Sequence, residues 1–266
     1  MPKFDVVVGN PPFQSPSKNK IHAVRGATGN LYQKFIELSC MIVKNRGVIS
    51  LISPHGFLKS TKWGVSNKYF SMLKDRGISL IRLSGVKKHF NVATSMCYFI
   101  STKSNKTIII SEKNLEIDIS NKFFIPSSMD KHTYNIFDKV ATCDGINLNF
   151  QRLSYLPTNY VGIKPMNNRL YGMKAVTNLP KINLGNDLLW EVKNNENVKN
   201  ILNSKVFTYL IRRVQYDAII YFGFINGFKI PKNLSKKWTD DELYDFYNFS
   251  DEEIESIENM GIIYLQ

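Results

Sequence analysis

Apolar residues come in short runs along the first hundred positions, and polar or glycine-containing segments separate them. Residues 4–9 form a largely apolar run, which predicts a strand buried on both faces, as in a parallel sheet. Residues 14–29 are polar and rich in serine, lysine and glycine, and they predict a mobile loop. Asn30 can cap the helix that follows. Four residues form the apolar stripe of this predicted helix: Leu31, Phe35, Leu38 and Ile42.

A second strand and a second helix continue this alternation. The apolar run at 48–52 predicts a strand that Pro54 ends, and the spacing at 67–74 predicts a helix. Residues 78–84 and 95–101 predict two more strands, and the long connection between them is compatible with an antiparallel hairpin. Strands that alternate with helices predict an α/β layer.

Beyond the first hundred residues the pattern is looser. Short apolar runs at 107–110 and 148–151 alternate with asparagine-rich segments. Residues 195–203 predict a helix, and the apolar segment VFTYLIRRV that follows predicts another. Residues 218–222 predict a strand.

The end of the sequence is acidic and contains two helix-start signals. Residues 235–266 hold nine acidic side chains against two lysines. In the segments 239–242 and 250–253, a Thr or a Ser is followed three residues later by Glu. This capping-box spacing lets each side chain bond the backbone N–H of the other residue, so it predicts two short helices.

The first part of the sequence is basic. Residues 1–110 carry 17 Lys or Arg against three acidic residues, and the formal charge of the whole chain is +13. Such a basic region is typical of proteins that bind a polyanion such as nucleic acid. The alternative interpretation is a solvated surface in a protein rich in Lys, Asn and Ile.

Several classes of protein do not fit this sequence. No apolar run approaches the roughly 20 residues that span a membrane, and the N-terminus lacks the apolar core of a signal peptide. Cys40, Cys97 and Cys143 are far apart and odd in number, which predicts reduced thiols and a cytoplasmic location. Neither the cysteines nor the four scattered histidines have the spacing of a metal site.

The most informative segment is Asn10-Pro11-Pro12-Phe13, directly after the first predicted strand. Two prolines cannot continue a strand, so the strand ends there in a rigid turn. The turn projects an amide side chain and an aromatic ring from the end of the strand. It resembles the active-site tetrapeptide of amino methyltransferases, which methylate adenine N6 or a glutamine amide.

The residues of this turn suit the chemistry of that family. Adenine N6 is a poor nucleophile because its lone pair is delocalised into the ring, and acceptors for both N6 hydrogens favour a more tetrahedral nitrogen. Asn10 offers a side-chain oxygen and Pro11 a backbone carbonyl, and Pro11 and Pro12 hold both in place before the base arrives. Phe13 offers a stacking surface, which returns roughly 1–3 kcal/mol of the cost of flipping a base out of the duplex.

The first hundred residues together resemble the catalytic half of N6-adenine DNA methyltransferases from restriction–modification systems. LYQKF resembles the helix after the catalytic turn, which implies that Tyr32 and Phe35 lie near S-adenosylmethionine. GVISLISPHGFL resembles the next strand and its loop. HFNVATSMCYFI resembles a segment whose early aromatic residue, here Phe90, packs against the flipped base. The alternative for Phe90 is a core position.

The resemblance also implies an overall organisation. Residues 1–104 correspond to a partial Rossmann-like sheet from the fourth strand onward, residues 105–234 to a mixed α+β region that recognises the DNA target, and residues 235–266 to acidic C-terminal helices. Five basic residues are expected to face DNA phosphates: Lys18, Lys20, Arg25, Lys87 and Lys88. Four arginines are candidates for target recognition, although ordinary surface positions explain them equally well: Arg152, Arg169, Arg212 and Arg213.

The sequence departs from the family at the cofactor site. Family members bind S-adenosylmethionine with a Gly-rich loop after the first strand of the sheet, and no F-x-G-x-G or equivalent occurs here. We therefore expect a protein partner to supply the cofactor-binding half, and the edge of the strand at 4–9 to be an open template for pairing. The alternatives are an inactive remnant that binds DNA or protein, and a methyltransferase acting on RNA or on protein glutamine.

Overall fold

The chain divides into two units. Met1–Lys59 and Ser66–Ile125 form the first unit, and Ser60–Val65 and Pro126–Gln266 form the second. The structure, a computed structural model, describes residues 3–13, 30–83, 89, 96–103, 107–110, 115–151, 161–165, 173–176, 188–190, 196–214 and 222–261. The predicted loop at 14–29 lies outside these residues.

A six-stranded mixed sheet forms the centre of the first unit. Its strands are β1 (Phe4–Gly9), β2 (Val43–Pro54), β3 (Leu80–Arg82), β4 (Met96–Ser101), β5 (Thr107–Ile110) and β6 (Leu115–Asp118). They lie in the order β1-β2-β4-β3-β5-β6, with β1 parallel to β2, β3 parallel to β5, and the other pairs antiparallel. The predicted strands and the antiparallel pairing of β3 with β4 are confirmed.

Two helices and a 3₁₀ turn pack with this sheet. They are α1 (Leu31–Ile42), the 3₁₀ turn His55–Leu58, and α2 (Lys68–Arg76). Asn67 caps α2 by accepting the Tyr69 N–H at 3.0 Å, and Gly77 ends the helix at φ 108°. Asn30 occupies the cap position of α1 but makes no side-chain cap bond there. The mixed α/β class predicted for this region is therefore confirmed.

The predicted apolar stripe of α1 is wrong by one residue. The residues that α1 buries are Tyr32, Ile36 and Ser39, whereas Leu38 is 40% exposed. Both stripes follow helical spacing, so the pattern along the helix does not distinguish them. The packing of the helix in the unit selects the second one.

The prediction that β1 is buried on both faces is also wrong. Phe4, Val6 and Val8 are 49%, 55% and 72% exposed. The physical reason is the position of the strand, because β1 is the end strand of the sheet and, among the described strands, only β2 pairs with it. The end position of β1 in the described sheet agrees with the open edge predicted for this strand.

The second unit combines short strands with six further helices in its described residues. The strands are β7 (Ile146–Asn147), β8 (Phe150–Gln151), β9 (Val161–Pro165), β10 (Met173–Val176), β11 (Leu188–Trp190) and β12 (Lys229–Ile230). The helices are α3 (Thr133–Thr142), α4 (Glu196–Leu202), α5 (Lys205–Val214), α6 (Phe222–Ile225), α7 (Asp240–Tyr247) and α8 (Asp251–Glu258). The strands form an antiparallel sheet, β10-β9-β11-β8, and a separate pair, β12-β7.

Most predictions for the second unit are confirmed. The predicted helices near 195–214 appear as α4 and α5. Both capping boxes form: the side chains of Thr239 and Ser250 accept from the backbone N–H groups three residues on, and their own backbone N–H groups donate to the Glu242 and Glu253 side chains. The predicted strand at 218–222 is wrong at Phe222, which begins α6, and its other residues lie outside the described part.

An aromatic cluster holds the segment 60–65 inside the second unit. The Trp63 ring lies 5.1 Å from Phe224 and 5.4 Å from Phe228, measured between ring centroids. Gly227 leaves room for this indole, because a Cβ there would lie 2.1 Å from Trp63. Within the described part of the chain, no helix combines the length and the apolar character that crossing a membrane requires.

Residue 104, the predicted end of the catalytic half, falls between β4 and β5, which belong to the same sheet. The two units are defined by how the chain packs. The predicted regions 1–104, 105–234 and 235–266 are instead defined by function. The assignment of those regions stays a prediction.

Candidate active site

The Asn10–Phe13 turn leaves the sheet at the carboxyl end of β1. Gly9 is the last residue of the strand and pairs with Leu51 of the parallel strand β2. In the turn, Pro11 is buried, Phe13 is half-buried, and Asn10 is exposed. The buried proline anchors the turn, while the amide and the aromatic ring remain accessible.

A second turn lies at the same edge of the sheet. Because β1 and β2 are parallel, their carboxyl ends meet there, and β2 ends at Pro54 directly before the 3₁₀ turn His55–Leu58. The antiparallel strand β4 begins at that edge, where Met96 pairs with Pro54. The edge thus combines the Asn10–Phe13 turn, the 55–58 turn and the start of β4.

The two residues predicted to lie near the cofactor are on α1, and they differ in accessibility. Tyr32 is only 4% exposed, while Phe35 is half-buried. The Tyr32 hydroxyl accepts a hydrogen bond from Gln33 Nε2 at 3.3 Å. It also lies against Gly56, where an added Cβ would be 2.7 Å from the hydroxyl oxygen.

Sequence reasoning did not identify Gly56 as a site residue. The only available signal was a glycine shortly after a strand, and such glycines are common in loops. Its close approach to Tyr32 involves residues far apart in the sequence, so only the structure reveals it.

The residues predicted to contact DNA in the first unit lie outside the described residues. They are Lys18, Lys20, Arg25, Lys87, Lys88 and Phe90. Their roles stay predictions.

Some of the described basic side chains of the first unit are engaged in ion pairs. Lys44 pairs with Asp5 at 2.9 Å, and Lys68 pairs with Glu37 at 2.8 Å. Other basic residues, such as Arg46, are exposed. The ion pairs neutralise only part of the basic character of the first unit.

Arg213, a candidate for target recognition, instead lies buried in the second unit. It is 4% exposed and donates from Nη2 to Asp130 at 2.5 Å and from Nη1 to Ser128 at 3.3 Å. Asp130 also accepts from Ser256 Oγ at 2.7 Å. A guanidinium held in this way does not face a phosphate, so its role is structural. Arg152 and Arg169 lie outside the described residues.

Electrostatics stabilise the charged form of Asp130. Its burial by itself raises the pKa of the carboxyl, but the Arg213 guanidinium and hydrogen bonds from Ser256 and Thr133 outweigh that effect. The pKa of Asp130 is therefore lower than its usual value. The Tyr209 ring lies 4.7 Å from the Arg213 guanidinium, and its hydroxyl is within hydrogen-bonding distance of Thr133 at 3.1 Å.

Residues 1–90 match a protein family described as Eco57I restriction-modification methylase. The match includes the Asn10–Phe13 turn, α1 and the 55–58 turn, and it covers about a third of the chain. The predicted resemblance to a restriction–modification methyltransferase is thus confirmed over these residues. The chain matches no curated protein.

Solved structures from type I restriction systems also show similarity. The M protein of the type I restriction enzyme EcoKI is 18% identical, with 45% of this chain and 24% of that chain covered and a TM-score of 0.30. A chain from a study of complex assembly and conformational transition of the type I R-M system is 14% identical, with 52% and 29% covered and a TM-score of 0.29. This chain therefore spans about a quarter of the length of these structures.

Proposed function

We propose that this chain is the catalytic part of a site-specific DNA methyltransferase that transfers a methyl group from S-adenosylmethionine to adenine N6. One observation carries the proposal: the Asn10–Phe13 turn lies at the carboxyl end of β1, with its amide exposed, inside the segment that matches a restriction-modification methylase family.

Asn10 and Pro11 are the proposed catalytic groups. The Asn10 side-chain oxygen and the Pro11 carbonyl accept the two hydrogens of N6, which localises the nitrogen lone pair for attack on the methyl carbon. With S-adenosylmethionine bound, the N–C bond would form as the sulfonium S–C bond breaks. The thioether would be the leaving group, and the proton released from N6 would pass to solvent. Both acceptors belong to a turn anchored by a buried proline, so they need little reorganisation during the reaction.

Phe13 and Phe90 are the proposed contacts for the flipped adenine. Phe13 is half-buried, so one part of the ring packs in the protein while another part remains accessible to a base. Stacking on an aromatic ring contributes roughly 1–3 kcal/mol per base, which offsets much of the cost of flipping. Phosphate contacts from the basic residues of the first unit are proposed to orient the duplex.

The described residues offer only part of a cofactor site. S-adenosylmethionine would supply the methyl group, and its proposed contacts in this chain are Phe35, which is half-buried, and Tyr32, which is almost fully buried. These residues fit one side of a cofactor site at most. We therefore assign the remaining contacts to a complementary half of a Rossmann-like domain.

The exposed surface of β1 supports the proposal that a complementary half binds to this chain. Three large apolar side chains of the strand are about half exposed or more, and Met41 on α1 is 54% exposed. An exposed apolar edge strand is a template for pairing with further strands. In this proposal, strands of the complementary half continue the sheet beyond β1.

The direct test identifies the methylated product. Duplex DNA is incubated with methyl-labelled S-adenosylmethionine, the chain and a candidate complementary half, and the nucleosides are then analysed by mass spectrometry. N6-methyladenine that disappears with Asn10→Ala is the expected result. Label in RNA or in a protein glutamine would favour the alternative methyltransferases, and no label in any assembly would favour an inactive remnant.

A further inference from the structure

The 3₁₀ turn at the candidate active site is held from two sides. From the core side, Phe57 and Leu58 are fully buried, and the Phe57 ring lies 5.3 Å from the Phe99 ring of β4. The Leu58 carbonyl also accepts the Ile125 N–H at 3.1 Å. On the other side, the backbone of Gly56 meets the hydroxyl of Tyr32.

The contact between Gly56 and Tyr32 leaves no room for a larger residue. A Cβ at position 56 would lie 2.7 Å from the Tyr32 hydroxyl oxygen but 3.9 Å from the Tyr32 Cζ atom. The first distance is a steric clash, while the second is an ordinary contact. Because Tyr32 is only 4% exposed, its ring is surrounded by other atoms and cannot easily move aside.

This contact and the Asn10–Phe13 turn lie at the same edge of the sheet. The register places Gly9 opposite Leu51, three residues before Pro54, and neighbouring strands are about 4.8 Å apart. The 55–58 turn therefore follows β2 at the edge where Asn10 and Phe13 leave β1.

We infer that Tyr32 is a positioning residue, whose hydroxyl contact with Gly56 sets the distance between the 55–58 turn and the Asn10–Phe13 turn and thereby the width of the adenine-binding gap. The inference rests on the proposed function, because it assigns the contact a role in methyl transfer. It also explains why α1 places a tyrosine, rather than a smaller residue, towards the turn.

The test is a size-complementation experiment on the complete methyl-transfer assembly. Gly56→Ala introduces the clash and should lower kcat by up to about 100-fold, since a displacement near 1 Å at a reacting site has effects of this size. Tyr32→Phe removes only the hydroxyl and should lower kcat a few-fold. In the double variant the added methyl group finds ordinary contact with the ring, so kcat should return to nearly the Tyr32→Phe value.

Gly47→Ala is the matched control for general destabilisation. A Cβ at Gly47 would lie 2.5 Å from the Asp5 carbonyl oxygen, at the other end of the β1–β2 pair. This variant should lower the Tm while leaving the kcat of the folded protein close to wild type, and Tyr32→Phe should not rescue it.

Two measurements separate this inference from the proposed function. The positioning role is overturned if the double variant is as slow as Gly56→Ala, or if Gly56→Ala has the full kcat. In either case, methyl transfer by the wild type still supports the proposed function. The Tm values of wild type, Gly56→Ala, Tyr32→Phe and the double variant, measured on the chain alone, test the contact without catalysis. If the Tm changes of the two single variants simply add in the double variant, the contact between the two residues is overturned. A wild-type chain without methyl transfer in any assembly overturns the proposed function, and with it the catalytic role of the contact.

Discussion

An apolar strand is exposed in the first unit, and a charged arginine is buried in the second. Val8 of β1 is 72% exposed, while Arg213 of α5 is 4% exposed. Within its own unit, Arg213 donates hydrogen bonds to the Asp130 carboxylate and to the Ser128 hydroxyl. Among the described strands, β1 has a neighbour on one side only. The difference shows that Arg213 finds its charged partner within this chain, whereas the apolar side chains of β1 remain exposed and gain stability only when another surface covers them.

The largest expected effect concerns the buried network. Arg213→Ala leaves the Asp130 carboxylate without its charged partner, and breaking a buried pair costs roughly 3–5 kcal/mol of unfolding free energy. Urea denaturation of the chain measures this change. Lys44→Ala is the control, because its pair with Asp5 is largely exposed and should contribute little. A variant of Arg213 as stable as the control would show that the network does not hold the second unit together.

The next effect concerns the Asn10–Phe13 turn, which is proposed to be catalytic. Asn10→Ala should lower methyl-transfer turnover by roughly 100- to 1000-fold, because it removes one preorganised acceptor for N6. Asn10 is exposed, so the Tm should not change. Single-turnover assays measure the rate, and Asn45→Ala, another exposed asparagine of the first unit, is the control. Unchanged turnover with Asn10→Ala would refute the proposed mechanism.

A smaller effect is expected at the edge strand. Val8→Asp places a charge on the surface that the complementary half is proposed to cover, and loss of a buried valine weakens association by roughly 1.5–3 kcal/mol. The concentration of the complementary half at half-maximal methyl transfer should rise, while the Tm of the chain alone stays constant. Val65→Asp, at a valine of the second unit that is 50% exposed, should change neither quantity. Destabilisation of the isolated chain by Val8→Asp would instead show that β1 is already covered.

The smallest effect is the pH dependence of the buried network. The pKa of Asp130 is lower in the folded chain than its usual value, near 3.8, so the unfolded state binds the proton more readily. The stabilisation by Asp130 is therefore fully present above pH 3.8 and is lost as the pH falls through the lower, folded-state pKa. Denaturation curves of wild type and Asp130→Asn at neutral and acidic pH should converge at low pH. A stability difference that does not depend on pH would contradict this assignment.

Features that depend on neighbouring residues in the sequence were predicted correctly. The end of β1 follows from Pro11 and Pro12, which cannot continue a strand. The two capping boxes at the start of α7 and α8 form as predicted, because their bonds connect residues only three positions apart. The resemblance of the first hundred residues rested on the same kind of contiguous signal, and the family match covers residues 1–90.

The burial predictions failed where neighbours distant in the sequence decide the outcome. The stripe predicted for α1 is displaced by one residue, because two stripes with the same spacing lie side by side on the helix. The open edge predicted for the strand at 4–9 agrees with the strand order, but the burial predicted for both faces of β1 is wrong, because Val6 and Val8 are exposed. Periodicity reports which residues share a face, but not which face the rest of the chain covers.

By itself, the sequence determined where the Asn10–Phe13 turn begins, which residues it presents and where the helices α7 and α8 begin. Each of these depends on backbone constraints and hydrogen bonds within a few residues. Only the tertiary structure decided that Arg213 pairs with Asp130 inside the second unit and that the hydroxyl of Tyr32 meets Gly56. The first contact joins residues 83 positions apart in the sequence, and the second joins residues 24 positions apart. No local sequence pattern specifies which distant side chains come into contact after folding.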